Sequence, residues 1–114
     1  DHFRGFDTYW EISASESTAV AGRWCAGPGK ALFDALAPMP SDPQAAQGLP
    51  IIAEDLGEIT QAVVDLRRAC GFPGMRVLQF AFGDTPANPY LPHNFEPQTV
   101  AYTGTHDNNT SVGW

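Results

Sequence analysis

The carboxylates and histidines of this chain gather where apolar runs end. Glu54 and Asp55 follow LPIIA, Asp84 stands just beyond MRVLQFAF, and His106 and Asp107 come directly after TVAYTGT. No Ser–His or Cys–His signature accompanies them, so the inventory favours acid/base and carboxylate-nucleophile work over acyl transfer. Glycoside chemistry uses such a set. One carboxylate attacks the sugar and a second, with a raised pKa, protonates the leaving oxygen, the two lying about 5–5.5 Å apart in a retaining reaction. A third carboxylate can hold sugar hydroxyls as the ring approaches the oxocarbenium state. On spacing alone, metal binding and plain structural polarity compete with this reading. His106 beside Asp107 has the residue types of a metal pair, but no Cys or HxxxH partner stands with it, so neither metal nor cofactor is expected.

Alternating elements must carry these residues. KALFDAL at 30–36 sets Ala31, Leu32, Ala35 and Leu36 at helical spacing, and ITQAVVDLRRACG predicts a second helix with Thr60 as N-cap and Gly71 just past its end. LPIIAEDLG reads as a buried strand reaching its polar end, while MRVLQFAF at 75–82 and TVAYTGT at 99–105 read as two more. The Pro- and Ser-rich stretch 37–48 is a surface loop, and four prolines within 83–98 leave only a short helix or an ordered loop there. Strands separated by a helix of crossover length predict parallel βα units, in which the carboxyl ends of the strands form the site. Three polar strand ends are therefore expected to meet at one pocket. The bland alternative for Glu54 and Asp55 is capping of the following helix turn. His93 reads as structural, and Tyr9, Trp10 and Trp24 as packing residues with sugar stacking as the sharper alternative.

A formal charge of −7 argues against nucleic acid, whose phosphates call for Lys and Arg. No apolar run approaches the roughly 18 residues of a membrane span, and no membrane partner is expected. Cys25 and Cys70 lie far apart without CxxC spacing and read as free thiols of a reducing compartment. Both ends of the chain are dense with polar residues of active-site type, and the chain reads as an interior stretch of a longer protein.

DHFRGFDTYWEI, GLPIIAEDLGEIT, GFPGMRVLQFAF, NPYLPHNF and YTGTHDNNTSVGW, in this order, resemble the 4-alpha-glucanotransferases of glycoside hydrolase family 77, the amylomaltases or disproportionating enzymes. The resemblance implies an α/β fold: part of a (β/α)8 TIM barrel of the alpha-amylase clan, from the end of strand 4 to just after strand 7, with residues 1–114 an internal fragment of one catalytic domain. It implies Asp1 as nucleophile, Glu54 as general acid/base and Asp107 as the transition-state-stabilising carboxylate. His2, Asp55, Asp84 and His106 match positions that contact donor or acceptor sugars. Where the family often has THDND this chain has THDNN, so Asn109 departs from the pattern. The implied partners are alpha-1,4-glucans and maltooligosaccharides, with no cofactor, in the cytoplasm or, for a plant source, a plastid. An alpha-glucan hydrolase and an inactive carbohydrate-binding segment are the alternatives.

Overall fold

The computed structural model describes residues 2–36, 48–83 and 85–114. The chain enters through a 3-10 turn at Phe3–Phe6 and forms strands β1 (Thr8–Ile12) and β2 (Gly22–Ala26), then helices α1 (Gly29–Leu36) and α2 (Gln61–Ala69), then strands β3 (Gly74–Val77) and β4 (Thr99–Tyr102). β1 and β2 make an antiparallel hairpin that the sequence pattern leaves unassigned. Its signal is the facing pair Trp10 and Trp24, whose rings meet edge-to-face at 5.3 Å, followed by Glu11 opposite Arg23, joined at 2.6 Å. The Trp10 indole also donates to the Ala19 carbonyl in the connecting loop.

Both predicted helices form. The Thr60 side chain accepts from Val63 N at the start of α2, and Gly71 takes the left-handed conformation, with φ of 71°, just beyond its end. β3 and β4 pair in parallel, with Gly74 opposite Thr99 and Val77 opposite Tyr102. β3 is shorter than the apolar run that predicts it, because the chain turns into 3-10 geometry at Leu78–Phe80, where Ala81 N bonds back to the Leu78 carbonyl instead of joining a ladder. The proline-rich connection holds a single further 3-10 turn, Pro92–Asn94, among its described residues.

The predicted strand over LPIIAEDLG does not form a ladder. Among the described residues the segment receives one backbone bond on one side, from Phe3 N to Glu54 O (2.7 Å), and makes one on the other, from Ala53 N to Pro73 O (2.9 Å). Apolar content does not by itself make a strand: Ala53 is buried here but Ile52 is exposed, and a regular ladder needs consecutive partners that these two bonds do not supply.

The core lies beneath the Phe3–Phe6 turn, between α1, α2 and the extended segment. Phe3, Phe33, Ala53, Val63 and Phe72 are buried there, with Phe6, Ile51, Ile59 and Leu66 packed against them. Phe33 and Phe3 share its centre, each with ring contacts to the other and to Phe6 and Phe72. Cys25 and Cys70 are free thiols, and burial pushes the Cys70 thiol above its ordinary pKa. No helix among the described residues is long and apolar enough to cross a membrane. The radius of gyration is 17.0 Å, against about 13 Å for a compact domain of this length. Trp24, Phe82, Val20 and Val112 remain exposed, so one small core holds an otherwise open arrangement.

Candidate active site

Glu54 and Asp55 occupy consecutive positions of an extended segment, so their side chains leave it on opposite sides. Glu54 faces a cleft of about 650 Å³ that is lined by His2, Leu56, Gly57, Met75, Phe80, Thr105, His106 and Asp107. Half-buried, it accepts a 2.8 Å hydrogen bond from Leu56 N through Oε1, which fixes one oxygen of the carboxylate beside the backbone.

His2 ties the chain entrance to the same wall. Its Nδ1 accepts from Arg4 N (3.0 Å), capping the first 3-10 turn, and this bond assigns the ring proton to Nε2, which donates to the Leu56 carbonyl at 2.5 Å. One neutral imidazole thus links the segment before Phe3 to the segment after Glu54.

Asp107 is presented by a turn made of side chains. Asn108 Oδ1 accepts from both Thr105 N (2.8 Å) and Thr105 Oγ1 (3.0 Å), while the same hydroxyl accepts from Asp107 N (3.2 Å). Gln79, just after β3, donates to the Asn109 carbonyl and anchors the turn from the other side. His106 and Asp107 are both exposed, with Nε2 3.2 Å from Oδ1. Asn109 Oδ1 accepts from Thr110 N, a bond that an aspartate would make equally well, so the departure from THDND leaves this turn intact.

Of the residues predicted for the site, Glu54, Asp107, His2 and His106 meet at this cleft. Asp55 does not. Only 5% exposed, it lies on the far side of the segment, where Oδ2 is 3.2 Å from Arg67 Nε and 3.8 Å from an Arg76 terminal nitrogen, and Oδ1 accepts from Met75 N at 2.8 Å. The structure thus sets Asp55 apart from Glu54's cleft, on the opposite side, against the two arginines. Asp1 and Asp84 lie outside the described residues. Met75, Phe80 and Thr105 are cleft residues that sequence reasoning did not single out, although each lies within a predicted strand and Thr105 closes one. Tyr9, Trp10 and Trp24 are not among the residues lining this cleft; Arg4 sits over the Trp24 ring at 4.9 Å.

Behind the site, Asp55, Arg67, Arg76, Tyr90 and Glu96 border a smaller cleft of about 170 Å³. Burial pushes the Tyr90 phenol above its ordinary pKa, with Arg76 pulling the other way. Glu96 is held below the usual carboxylate range by its hydrogen bond from Arg68, 2.9 Å away.

The cleft joins two carboxylates and two imidazoles with apolar side chains, the mixture of polar and apolar lining that a small-molecule site has. Across residues 1–114 the chain matches the family model described as 4-alpha-glucanotransferase. The chain belongs to the 4-alpha-glucanotransferase family. Within that family it is 55% identical to the chloroplastic/amyloplastic 4-alpha-glucanotransferase of Solanum tuberosum and 53% identical to the 4-alpha-glucanotransferase of Thermus thermophilus. All of this chain is covered in both comparisons, against 19% and 22% of the relatives. The fold matches that of the Streptococcus agalactiae amylomaltase in complex with acarbose, with a TM-score of 0.81 and 43% identity, over all of this chain and 22% of the amylomaltase. The chain therefore spans about a fifth of the length of the family members it matches.

Proposed function

We propose that these residues carry part of the catalytic centre of a 4-alpha-glucanotransferase, which moves alpha-1,4-glucan segments from a donor to an acceptor glucan or to glucose. The carrying observation is the meeting of Glu54 and Asp107 at one cleft in a chain of this family. The reaction proposed is a retaining double displacement. Asp1, on the strength of its family motif DHFRG, attacks the anomeric carbon as Glu54 protonates the departing glycosidic oxygen, and a covalent glycosyl-enzyme forms. Glu54, now a carboxylate, then takes the proton of the incoming 4-hydroxyl as that oxygen displaces Asp1. Asp107 holds sugar hydroxyls whose hydrogen bonds strengthen as the ring flattens, with His2 and His106 beside it on the substrate side.

In this reading the 114 residues form the middle of a (β/α)8 barrel, from the end of strand 4 to just after strand 7, in the cytoplasm or in the plastid of a plant. The open arrangement and the exposed aromatics support it, and the isolated segment is expected to be inactive and poorly soluble. The test uses the full-length protein with maltotriose, products resolved by chain length, and Glu54→Gln as control. Glucose together with a ladder of longer maltooligosaccharides, abolished in the variant, is the expected result. Glucose and maltose alone would establish a hydrolase instead, and no turnover would leave a binding segment.

A further inference from the structure

From the buried pair behind Glu54 we infer that Arg67, acting through Asp55, is a positioning residue for the acid/base carboxylate. This rests on the reading of Glu54 as proton donor. Among the described residues, the segment that carries Glu54 is joined to its surroundings by the backbone bonds from Phe3 N to Glu54 O and from Ala53 N to Pro73 O, and by His2 Nε2 at the Leu56 carbonyl. Any rotation of the segment about its own axis would carry the Glu54 side chain with it, so what fixes the segment also sets the direction of that carboxylate. The adjacent residue supplies the constraint. Asp55 is clamped by the backbone N–H of Met75 and by the Arg67 guanidinium, and Gly74 presses so closely that a Cβ there would lie 2.5 Å from Asp55 Oδ2.

Arg67 is itself immobilised. At 2% exposure it donates from one terminal nitrogen to the carbonyls of Phe72 (3.0 Å) and Gln98 (3.5 Å), while the other lies 3.7 Å from Glu96. Its Nε makes no aligned hydrogen bond although Asp55 Oδ2 is 3.2 Å away, so charge rather than a linear N–H···O bond holds that contact. Arg67 thus refers Asp55 to α2 and to the chain at the starts of β3 and β4. Because successive side chains of an extended segment leave on opposite sides, locking Asp55 on one side sets the direction of Glu54 on the other. A buried ion pair contributes little net stability compared with apolar packing of the same volume; its role in this proposal is to select one geometry.

A donor's leaving group separates this role from general support. Maltotriose needs a proton on the departing oxygen. Maltotriosyl fluoride, by contrast, loses fluoride with the C–F electron pair as the nucleophile's carboxylate forms its bond to carbon, with little help from an acid. kcat/KM, which reports steps through leaving-group departure, is measured for both donors in the full-length protein, unsubstituted and as Glu54→Gln, Arg67→Lys and Asp55→Asn. Arg67→Lys keeps the charge but not the fork, and Asp55→Asn keeps the shape but not the charge. Each is expected to lower kcat/KM for maltotriose by roughly 10²-fold while nearly sparing the fluoride, the same selectivity as Glu54→Gln in milder form. A parallel fall for both donors, or no fall, in whichever variant folds would overturn the positioning role and leave the reading of Glu54 intact. If Glu54→Gln itself shows no selectivity between the donors, that reading falls and the positioning role with it.

Discussion

Gly74→Ala puts the packing behind the site under the smallest perturbation available. The added Cβ would lie 2.5 Å from Asp55 Oδ2, 2.9 Å from Oδ1 and 3.0 Å from Cγ, all on one clamped carboxylate. To regain ordinary contact that group must retreat by about 0.9 Å, and the retreat weakens its dispersion attraction to the atoms around it. Its partners resist, since Met75 N is 2.8 Å from Oδ1 and Arg67 Nε 3.2 Å from Oδ2, both in the interior. Overpacking of a filled site and strain on a charge-assisted hydrogen bond together give an expected loss of about 2–5 kcal/mol. The assay is urea unfolding of the full-length protein, read as the shift in midpoint at unchanged slope. Gly5→Ala serves as control, because nothing lies within 4 Å of a Cβ there; its effect should stay within about 0.5 kcal/mol. If Gly74→Ala proves as mild as Gly5→Ala, the carboxylate has room to move and the argument for a rigid anchor fails.

Phe33→Ala removes a buried ring that touches Phe3, Phe6 and Phe72 and should cost about 3–5 kcal/mol in the same unfolding assay; a loss below about 1 kcal/mol would mean that those three rings close over the gap. Asn108→Ala deletes the acceptor shared by Thr105 N and Oγ1, so the turn carrying Asp107 should loosen and the transfer rate on maltotriose drop by roughly 10²-fold; Asn108→Asp, which retains an acceptor, should lose much less. Glu96 has a folded-state pKa depressed below its unfolded value, so its contribution to stability is present above the ordinary carboxylate pKa and lost as pH falls through the folded one. Glu96→Gln should therefore be less stable than the parent near neutral pH and equal to it once acid has protonated Glu96. A gap that does not change with pH would show that packing, not charge, is involved, and added salt should narrow it because the side chain is partly exposed.

Local chemistry is legible in the sequence. Helical spacing and the Thr60 cap announce α2, and β-rich composition announces β3 and β4, because capping and side-chain periodicity act within a few residues of each other. The clustering of Glu54 and Asp107 is also readable, from polar residues at the ends of apolar runs. The hairpin of β1 and β2 escapes because its pairing joins residues on either side of a nine-residue loop, 13–21, without a tight-turn signal.

What the tertiary structure alone decided is how two neighbouring acids come to have different surroundings. Glu54 and Asp55 are equivalent by type and position in the sequence, and both read there as facing the site. Burial of Arg67 on α2 and the close approach of Gly74 place a cationic, tightly fitted slot on one side of the segment and the open cleft on the other. A charged side chain is taken from water only where an opposite charge meets it, and that charge comes from residues 12 and 21 positions further along the chain, Arg67 and Arg76. Composition cannot reveal such a partner, because its distance in space is set only when α2 and β3 pack against the segment that carries both acids.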